Sequence, residues 1–296
     1  MYQELINILG KENVFTDEDM SKHTTFKAGG KAKYFVTPDS FERLSELIGF
    51  LKDKIDYYII GNGSNLLVKD EGYNGVIVKI GQKLSNITLD DKVMSCEAGA
   101  YVSKIANFAC ENSLGGLEFA AGIPGMLGGA VAMNAGAYGG EFKDIIINVT
   151  LMDRSGNIIE KSNEDMKFGY RKSIVQEEDY IVLSAKLKLE AGNKDEISDR
   201  MNELLKQRRD KQPLEYPSAG STFKRPEGYF AGKLIMDAGL KGYSVGGACV
   251  SEKHCGFVVN KGNATATDII RLMQDVADKV EAEFGVRLEP EVKIIG

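Results

Sequence analysis

The residues best suited to chemistry fall in a few short stretches. The first is Gly61-Asn62-Gly63-Ser64-Asn65-Leu66, directly after an apolar run. Glycines with small amide or hydroxyl neighbours let several backbone N–H groups converge on phosphate oxygens. The same composition also suits a plain tight turn. The stretch opens like a dinucleotide fingerprint, but Leu66 stands where the third glycine belongs, and Val68-Lys69-Asp70 does not open a helix. A doubly wound dehydrogenase therefore fails its own context test, and without Gly-Lys-Ser/Thr there is no P-loop. The second stretch is Gly122-Ile123-Pro124-Gly125-Met126-Leu127-Gly128-Gly129-Ala130, running on to Asn134-Ala135-Gly136. Nine glycines and six alanines fall within residues 115–140, which lets backbone lie against something flat or charged. Two such loops can grip two ends of one elongated anionic ligand.

Three polar stretches follow: Gly169-Tyr170-Arg171-Lys172-Ser173, Ser218-Ala219-Gly220-Ser221-Thr222-Phe223-Lys224 and Leu288-Glu289-Pro290-Glu291-Val292. Each alone reads as readily as a solvated loop. No Gly-x-Ser-x-Gly elbow surrounds Ser221, and two histidines, His23 and His254, leave little for a Ser-His-Asp triad or a multi-histidine metal site. The four cysteines, Cys96, Cys110, Cys249 and Cys255, contain no Cys-x-x-Cys pair and read as free, buried thiols, with no metal centre. Cys255 follows His254 in what reads as a strand, where adjacent side chains point to opposite faces, so the two do not form a catalytic pair.

These stretches must be positioned by regular elements. Asp39 with Glu42 three residues on suggests a capping box. Phe41, Leu44, Leu47, Ile48 and Leu51 then recur at helical spacing. Strands are expected at Tyr57–Ile60, Val76–Ile80 and Val93–Cys96, and a helix where Val102, Ile105, Ala106 and Ala109 repeat. Residues 145–152, 158–159 and 180–189 read as an antiparallel meander. A helix over 195–211 ends in basic residues and Pro213. Gly256–Asn260 reads as a strand, Thr265 and Asp268 as the cap of a helix reaching about Phe284, and Val286–Leu288 and Val292–Ile295 as closing strands. Alternating strands and helices place the chain among α/β or α+β folds.

The 296 residues suggest about two domains. Lys and Arg total 37 against 43 Asp and Glu, a net charge of −6, which argues against a nucleic-acid binder held by a basic face. No run approaches the roughly 18 apolar residues of a membrane span. Residues 1–10 carry Glu4 and no basic leader pattern, so a cytoplasmic location is expected.

The two glycine-rich loops, Tyr170-Arg171-Lys172-Ser173, Gly220-Ser221-Thr222-Phe223-Lys224 and Glu289-Pro290-Glu291-Val292 together resemble the UDP-N-acetylenolpyruvoylglucosamine reductases, from about Thr24 to Gly296 and in family order. The resemblance implies an α+β chain: an FAD-binding fold of the vanillyl-alcohol-oxidase (PCMH) type, made of two α+β subdomains over 1–80 and 81–194. A substrate-binding α+β domain follows over 195–287, and residues 288–296 return to the active site. It implies non-covalent FAD, with Gly61 to Leu66 at its diphosphate and Ile123, Pro124, Gly125, Gly128, Gly129, Ala130, Asn134, Ala135 and Gly136, together with Gly122, along the rest. NADPH is the implied co-substrate and UDP-N-acetylglucosamine enolpyruvate the substrate, reduced to UDP-N-acetylmuramate by a monomer for peptidoglycan synthesis. Carried over residue by residue, Arg171 and Glu291 stabilise the enol intermediate and Ser221 donates the proton; Tyr170, Lys211, Lys224 and Asn260 are substrate contacts, Lys211 and Lys224 either at the UDP phosphates or orienting Ser221. The short link from Ser173 to Tyr180 resembles the subclass without a long tyrosine-bearing loop. Another non-covalent FAD oxidoreductase of the same fold, acting on a small alcohol or sugar, is the alternative; a colourless nucleotide-sugar binder is a more distant one.

Overall fold

The computed structural model describes residues 1–296, which divide into two compact units. Unit 1 comprises residues 1–15, 34–62 and 75–208; unit 2 comprises residues 16–33, 63–74 and 209–296. Both combine helices with mainly antiparallel strands, the α+β class expected.

Unit 1 is organised on a five-stranded antiparallel sheet in the order Ile158–Ser162, Ile146–Met152, Ile181–Lys188, Val93–Glu97, Ile87–Asp90. This corrects the meander expected over 145–189. The long strand Ile181–Lys188 pairs with Ile146–Met152 rather than with its predecessor in sequence. Its alternating inward residues Leu183, Ala185 and Leu187 require a central place, whereas Ile158–Ser162 alternates exposed and half-buried residues and sits at the edge. A parallel pair, Tyr57–Ile60 against residues 76–79, supplies the carboxyl end from which the first glycine loop departs. Phe41–Leu51 buries Leu44, Leu47, Ile48 and Leu51, and Val102–Glu111 buries Val102, Ile105, Ala106 and Ala109 on one core with the sheet. Here the cap expected at Asp39 lies one residue on: the Ser40 hydroxyl accepts from Arg43 N–H at 3.2 Å, and Asp39 instead pairs with the Arg43 guanidinium at 2.9 Å.

Unit 2 is smaller. Ser244–Val245, Ala248–Val250 and Val258–Asn260 form a three-stranded antiparallel sheet. The helix Ala266–Phe284 covers it with Ile269, Leu272, Met273, Val276 and Val280. Thr265 and Asp268 make the expected capping box, and Gly285 ends the helix in the left-handed conformation at φ 68°. Val286–Leu288 is not a strand: Leu288 is buried in the core, but the segment has no ladder partner. Lys293–Ile295 does pair, in parallel, with Leu66–Val68. His254 and Cys255 lie in a turn, not a strand. No helix is long and apolar enough to cross a membrane.

The start of Ala266–Phe284 is held by a residue distant in sequence. Asp70 accepts from the N–H groups of Ala266 and Thr267, each at 2.8 Å, and from the Thr267 hydroxyl at 2.6 Å. Burial raises its pKa, but these hydrogen bonds outweigh that and hold it below its ordinary value. Asp70→Ala should cost about 1 kcal/mol in urea unfolding at pH 7, the size of a lost helix cap. The difference from wild type should vanish as pH falls through the depressed folded pKa, because the contribution exists only while the carboxylate is charged.

Candidate active site

In unit 1 the two glycine-rich stretches meet. Asn62 Nδ2 donates to the Pro124 carbonyl at 2.6 Å, and the Tyr101 hydroxyl donates to Asn62 Oδ1 at 3.5 Å. A Cβ on Gly61 would stand 3.3 Å from Met126 Cβ. The second stretch is laced to residues 98–102: Val102 N–H donates to Gly125 O, Leu127 N–H to Ala100 O and Gly128 N–H to Ala98 O, at 2.9–3.0 Å. Beside them lies a cavity of about 140 Å³, lined by Ile60, Gly61, Gly128, Gly129, Val182 and other mostly apolar residues. Nothing lies within 4 Å of where a Cβ on Gly129 would be. A flat apolar group flanked by backbone fits this chemistry, as one part of a flavin dinucleotide requires.

Gly136, further along the stretch, meets the third motif. Arg171 Nη2 donates to the Gly136 carbonyl at 3.2 Å, and its guanidinium lies 5.5 Å from the Tyr170 ring centre. Arg171 has φ 54°, a left-handed conformation that costs a non-glycine residue about 1 kcal/mol and persists where surrounding contacts over-determine it. Those contacts are visible. Asn134 Nδ2 donates to the Gly169 carbonyl at 3.1 Å and to Glu141 at 2.7 Å, and Asn134 Oδ1 accepts from Lys143 N–H at 2.9 Å. The Ser173 hydroxyl donates to Ala132 O at 2.7 Å. Asn134 is fully buried and Ala130 nearly so. The Asn134 side-chain amide is thus committed to holding the loop that carries Arg171. Ala135 likewise serves the turn, its N–H donating to Ala130 O. Ile123 packs against the core.

The basic run before Pro213 hides one more residue. Arg208 is half-buried, its Cδ 2.9 Å from where a Cβ on Gly122 would stand. Among basic neighbours it looks like mere charge at the end of a helix; helical spacing from the buried Met201 and Leu204 is the signal that places it inward.

In unit 2 the rest of the first loop is pressed onto the chain at His23. Gly63 has φ 63°, and a Cβ on it would lie 2.1 Å from the His23 carbonyl oxygen, so only glycine fits. Ser64 is half-buried beside it. Asn65 Nδ2 donates to Glu291 O at 3.1 Å, and Lys293 N–H donates to Asn65 O at 3.0 Å. Leu66, buried, opens the strand that pairs with Lys293–Ile295. Glu291 N–H donates to Thr222 O at 2.8 Å, Phe223 bridges Pro290, and Lys224 N–H donates to Glu289 O at 2.8 Å. Thr222 is fully buried; its N–H donates to Gly256 O, and its hydroxyl accepts from Val258 N–H at 2.8 Å. Unit 2 thus sets exposed Ser221 and half-buried Glu291 on neighbouring extended segments. The Lys224 ammonium pairs with Glu289 at 2.9 Å, and Lys211 is exposed. Asn260 departs from expectation. It is buried, its amide donating to Phe26 O at 3.0 Å and Lys27 O at 3.4 Å while accepting from Gly262 and Ala264 N–H. Its side chain is a structural tie between residues 26–27 and 262–264.

All four cysteines are free and buried. Burial pushes the Cys96 thiol up to about 12 and raises Cys255, so neither is poised as a thiolate. Burial pushes His254 down, towards neutral imidazole. No group of three or more His, Cys, Asp or Glu side chains is placed to hold a metal ion.

Residues 32–162 match the model of an FAD binding domain. With the glycine-lined loops, this defines a flavin-dependent oxidoreductase. Residues 212–295 match the C-terminal domain of UDP-N-acetylenolpyruvoylglucosamine reductase. Relatives of that name from Clostridioides difficile (52% identical, covering 100% of this chain and 98% of the relative) and Agathobacter rectalis (55% identical, 95% and 93%) run alongside nearly the whole chain. A solved UDP-N-acetylenolpyruvylglucosamine reductase from Thermus caldophilus superposes with TM-score 0.82 at 36% identity, covering 94% of this chain and 98% of that one. The chain belongs to the UDP-N-acetylenolpyruvoylglucosamine reductase family. A glucose dehydrogenase, Phl p 4.0202, is similar over 64% of the chain at 15% identity and TM-score 0.51, a likeness of fold alone, so the sugar-oxidising alternative gains nothing from it.

Asn134→Ala should leave the Lys143 N–H and the Gly169 carbonyl without their partner, at a cost of about 2–3 kcal/mol in urea unfolding. A loss below about 0.5 kcal/mol, typical of surface positions, would show that Asn134 does not hold the Arg171 loop.

Proposed function

We propose that this chain reduces UDP-N-acetylglucosamine enolpyruvate to UDP-N-acetylmuramate with NADPH, acting as a cytoplasmic monomer in peptidoglycan precursor synthesis. The observation that supports this reading best is the pairing of residues 222–224 with 289–291, which puts a hydroxyl and a carboxyl group on adjacent segments. Bound FAD supplies hydride transfer, from NADPH to the methylene carbon of the enolpyruvyl group.

This chain's own residues manage the charge and the proton. As hydride arrives, negative charge builds on the enol carboxylate, and stabilising developing charge in a dry site is often the largest catalytic contribution. Arg171 supplies a permanent cation for that charge, and Glu291 a hydrogen-bonding acid group. Ser221 delivers the proton to the neighbouring carbon. A serine hydroxyl is a weak acid, useful only where the acceptor is strongly basic, and a carbanionic enolate is such an acceptor. Lys211 and Lys224 take the UDP phosphates, with Tyr170 beside the substrate. Residues 61–66 receive the FAD diphosphate, and 122–136 line the remainder of the cofactor. On this reading residues 1–80 and 81–194 are the FAD-binding subdomains, 195–287 bind the nucleotide sugar, and 288–296 bring Glu291 to the reaction.

Ser221→Ala separates the two halves of the reaction. Flavin reduction by NADPH, followed anaerobically by stopped-flow absorbance, should keep its wild-type rate. Reoxidation by the enolpyruvyl sugar should slow by about a hundredfold or more, the size of a lost general acid. Wild-type turnover would remove Ser221 from the chemistry.

A further inference from the structure

The short segment before Gly29 and Gly30 in unit 2 carries a group for which the fold has no use. The Thr25 hydroxyl oxygen is buried without a hydrogen-bond partner. Its neighbour Thr24 differs: the Thr24 hydroxyl donates to Ala28 O at 3.1 Å. Buried hydroxyls in folded proteins are nearly always satisfied, so an orphan on an otherwise well-bonded segment points to a partner outside the chain. The segment is well bonded. Lys27 N–H donates to Thr24 O at 3.2 Å, and Met20–His23 forms a 3-10 turn capped by Asp19, which accepts from Ser21 N–H at 2.9 Å.

Its position identifies the partner. Thr25 N–H donates to the Gly63 carbonyl at 3.2 Å. Gly63 is packed so closely on His23 and Thr24 that a Cβ would lie 2.1 Å from one carbonyl oxygen and 3.0 Å from the next Cα. On its other side the loop is fixed through Asn65 to the backbone of Glu291 and Lys293. Residues 23–25 are therefore a rigid wall against Gly63-Ser64-Asn65. A hydroxyl is a good donor to an anionic oxygen and, unlike a lysine, adds no charge of its own.

We propose that Thr25 is an FAD-binding residue: its hydroxyl donates a hydrogen bond to an oxygen of the cofactor's diphosphate. This rests on the assignment of the 61–66 loop to that diphosphate. The Thr25 backbone builds the loop and the Thr25 side chain completes the anion's shell. The orphaned oxygen also means that the hydroxyl contributes nothing to the apoprotein, which distinguishes a ligand-directed group from a structural one.

The test is flavin binding to the stripped protein, read by flavin fluorescence and calorimetry, with FAD and with riboflavin, which lacks the diphosphate. Thr25→Val keeps the shape and removes the hydroxyl; Thr25→Ser keeps the hydroxyl. Thr25→Val should weaken FAD binding by about tenfold, as expected for one charge-assisted hydrogen bond, leave riboflavin binding unchanged and leave the apoprotein's melting temperature unchanged or raised. Thr25→Ser should bind FAD within about threefold of wild type. Equal FAD affinity for Thr25→Val and wild type overturns the proposal, as does an equal loss for FAD and riboflavin. Gly63→Ala tests the underlying assignment separately: if it binds FAD as wild type does, the loop is not the diphosphate site, and the proposal falls with it.

Discussion

The hydrogen bonds that join Asn65 to the chain at Glu291 and Lys293 are the constraint on which unit 2 depends. They fix the register of Leu66–Val68 against Lys293–Ile295. Through the Glu291 N–H they also fix the extended segment 222–224, and through buried Thr222 the strand that begins at Val258. Residues 63–66 and the segments that carry Ser221 and Glu291 are thereby one backbone construction within unit 2. Side-chain precision at Ser221 and Glu291 follows from ladder bonds, which neither long side chains nor surface ion pairs can provide.

Unit 1 solves the corresponding problem with side-chain amides and close backbone approach. Asn62 and Asn134 each join two loops, one binding the glycine stretches together and the other holding the turn of Arg171. The left-handed backbone at Arg171 is maintained by these contacts. The guanidinium of Arg171 is itself anchored to the Gly136 carbonyl, which fixes where its planar fork of donors can point. Burial, by contrast, holds the Cys96 and Cys255 thiols and His254 towards their neutral forms.

The long helices were legible because their apolar spacing and caps agree: Thr265 with Asp268 marks the start of Ala266–Phe284, and Gly285 its end. The two glycine-rich stretches stood out by glycine density, and the structure brings them together at Asn62 and Pro124. The sheet order in unit 1 was not legible, since adjacency in sequence gave no hint that Ile158–Ser162 would be displaced to the edge. Very short elements such as Ala248–Val250 carry too few residues for a period. Asn134 and Asn260 show a different limit. An amide in a polar motif looks like a ligand contact, but only burial and its list of partners reveal that it is already fully used by the fold. Arg208 shows the reverse, a cation dismissed as helix-end charge that turns inward against Gly122.

The central claim is that one flavin site links NADPH to the enolpyruvyl sugar. The most direct measurement is the visible spectrum of the purified holoprotein under strict anaerobiosis, with NADPH added first and UDP-N-acetylglucosamine enolpyruvate second. The flavin bands should bleach with NADPH and return in full on addition of the sugar, with UDP-N-acetylmuramate formed in equal amount. A flavin that bleaches and stays bleached until oxygen is admitted would contradict the account.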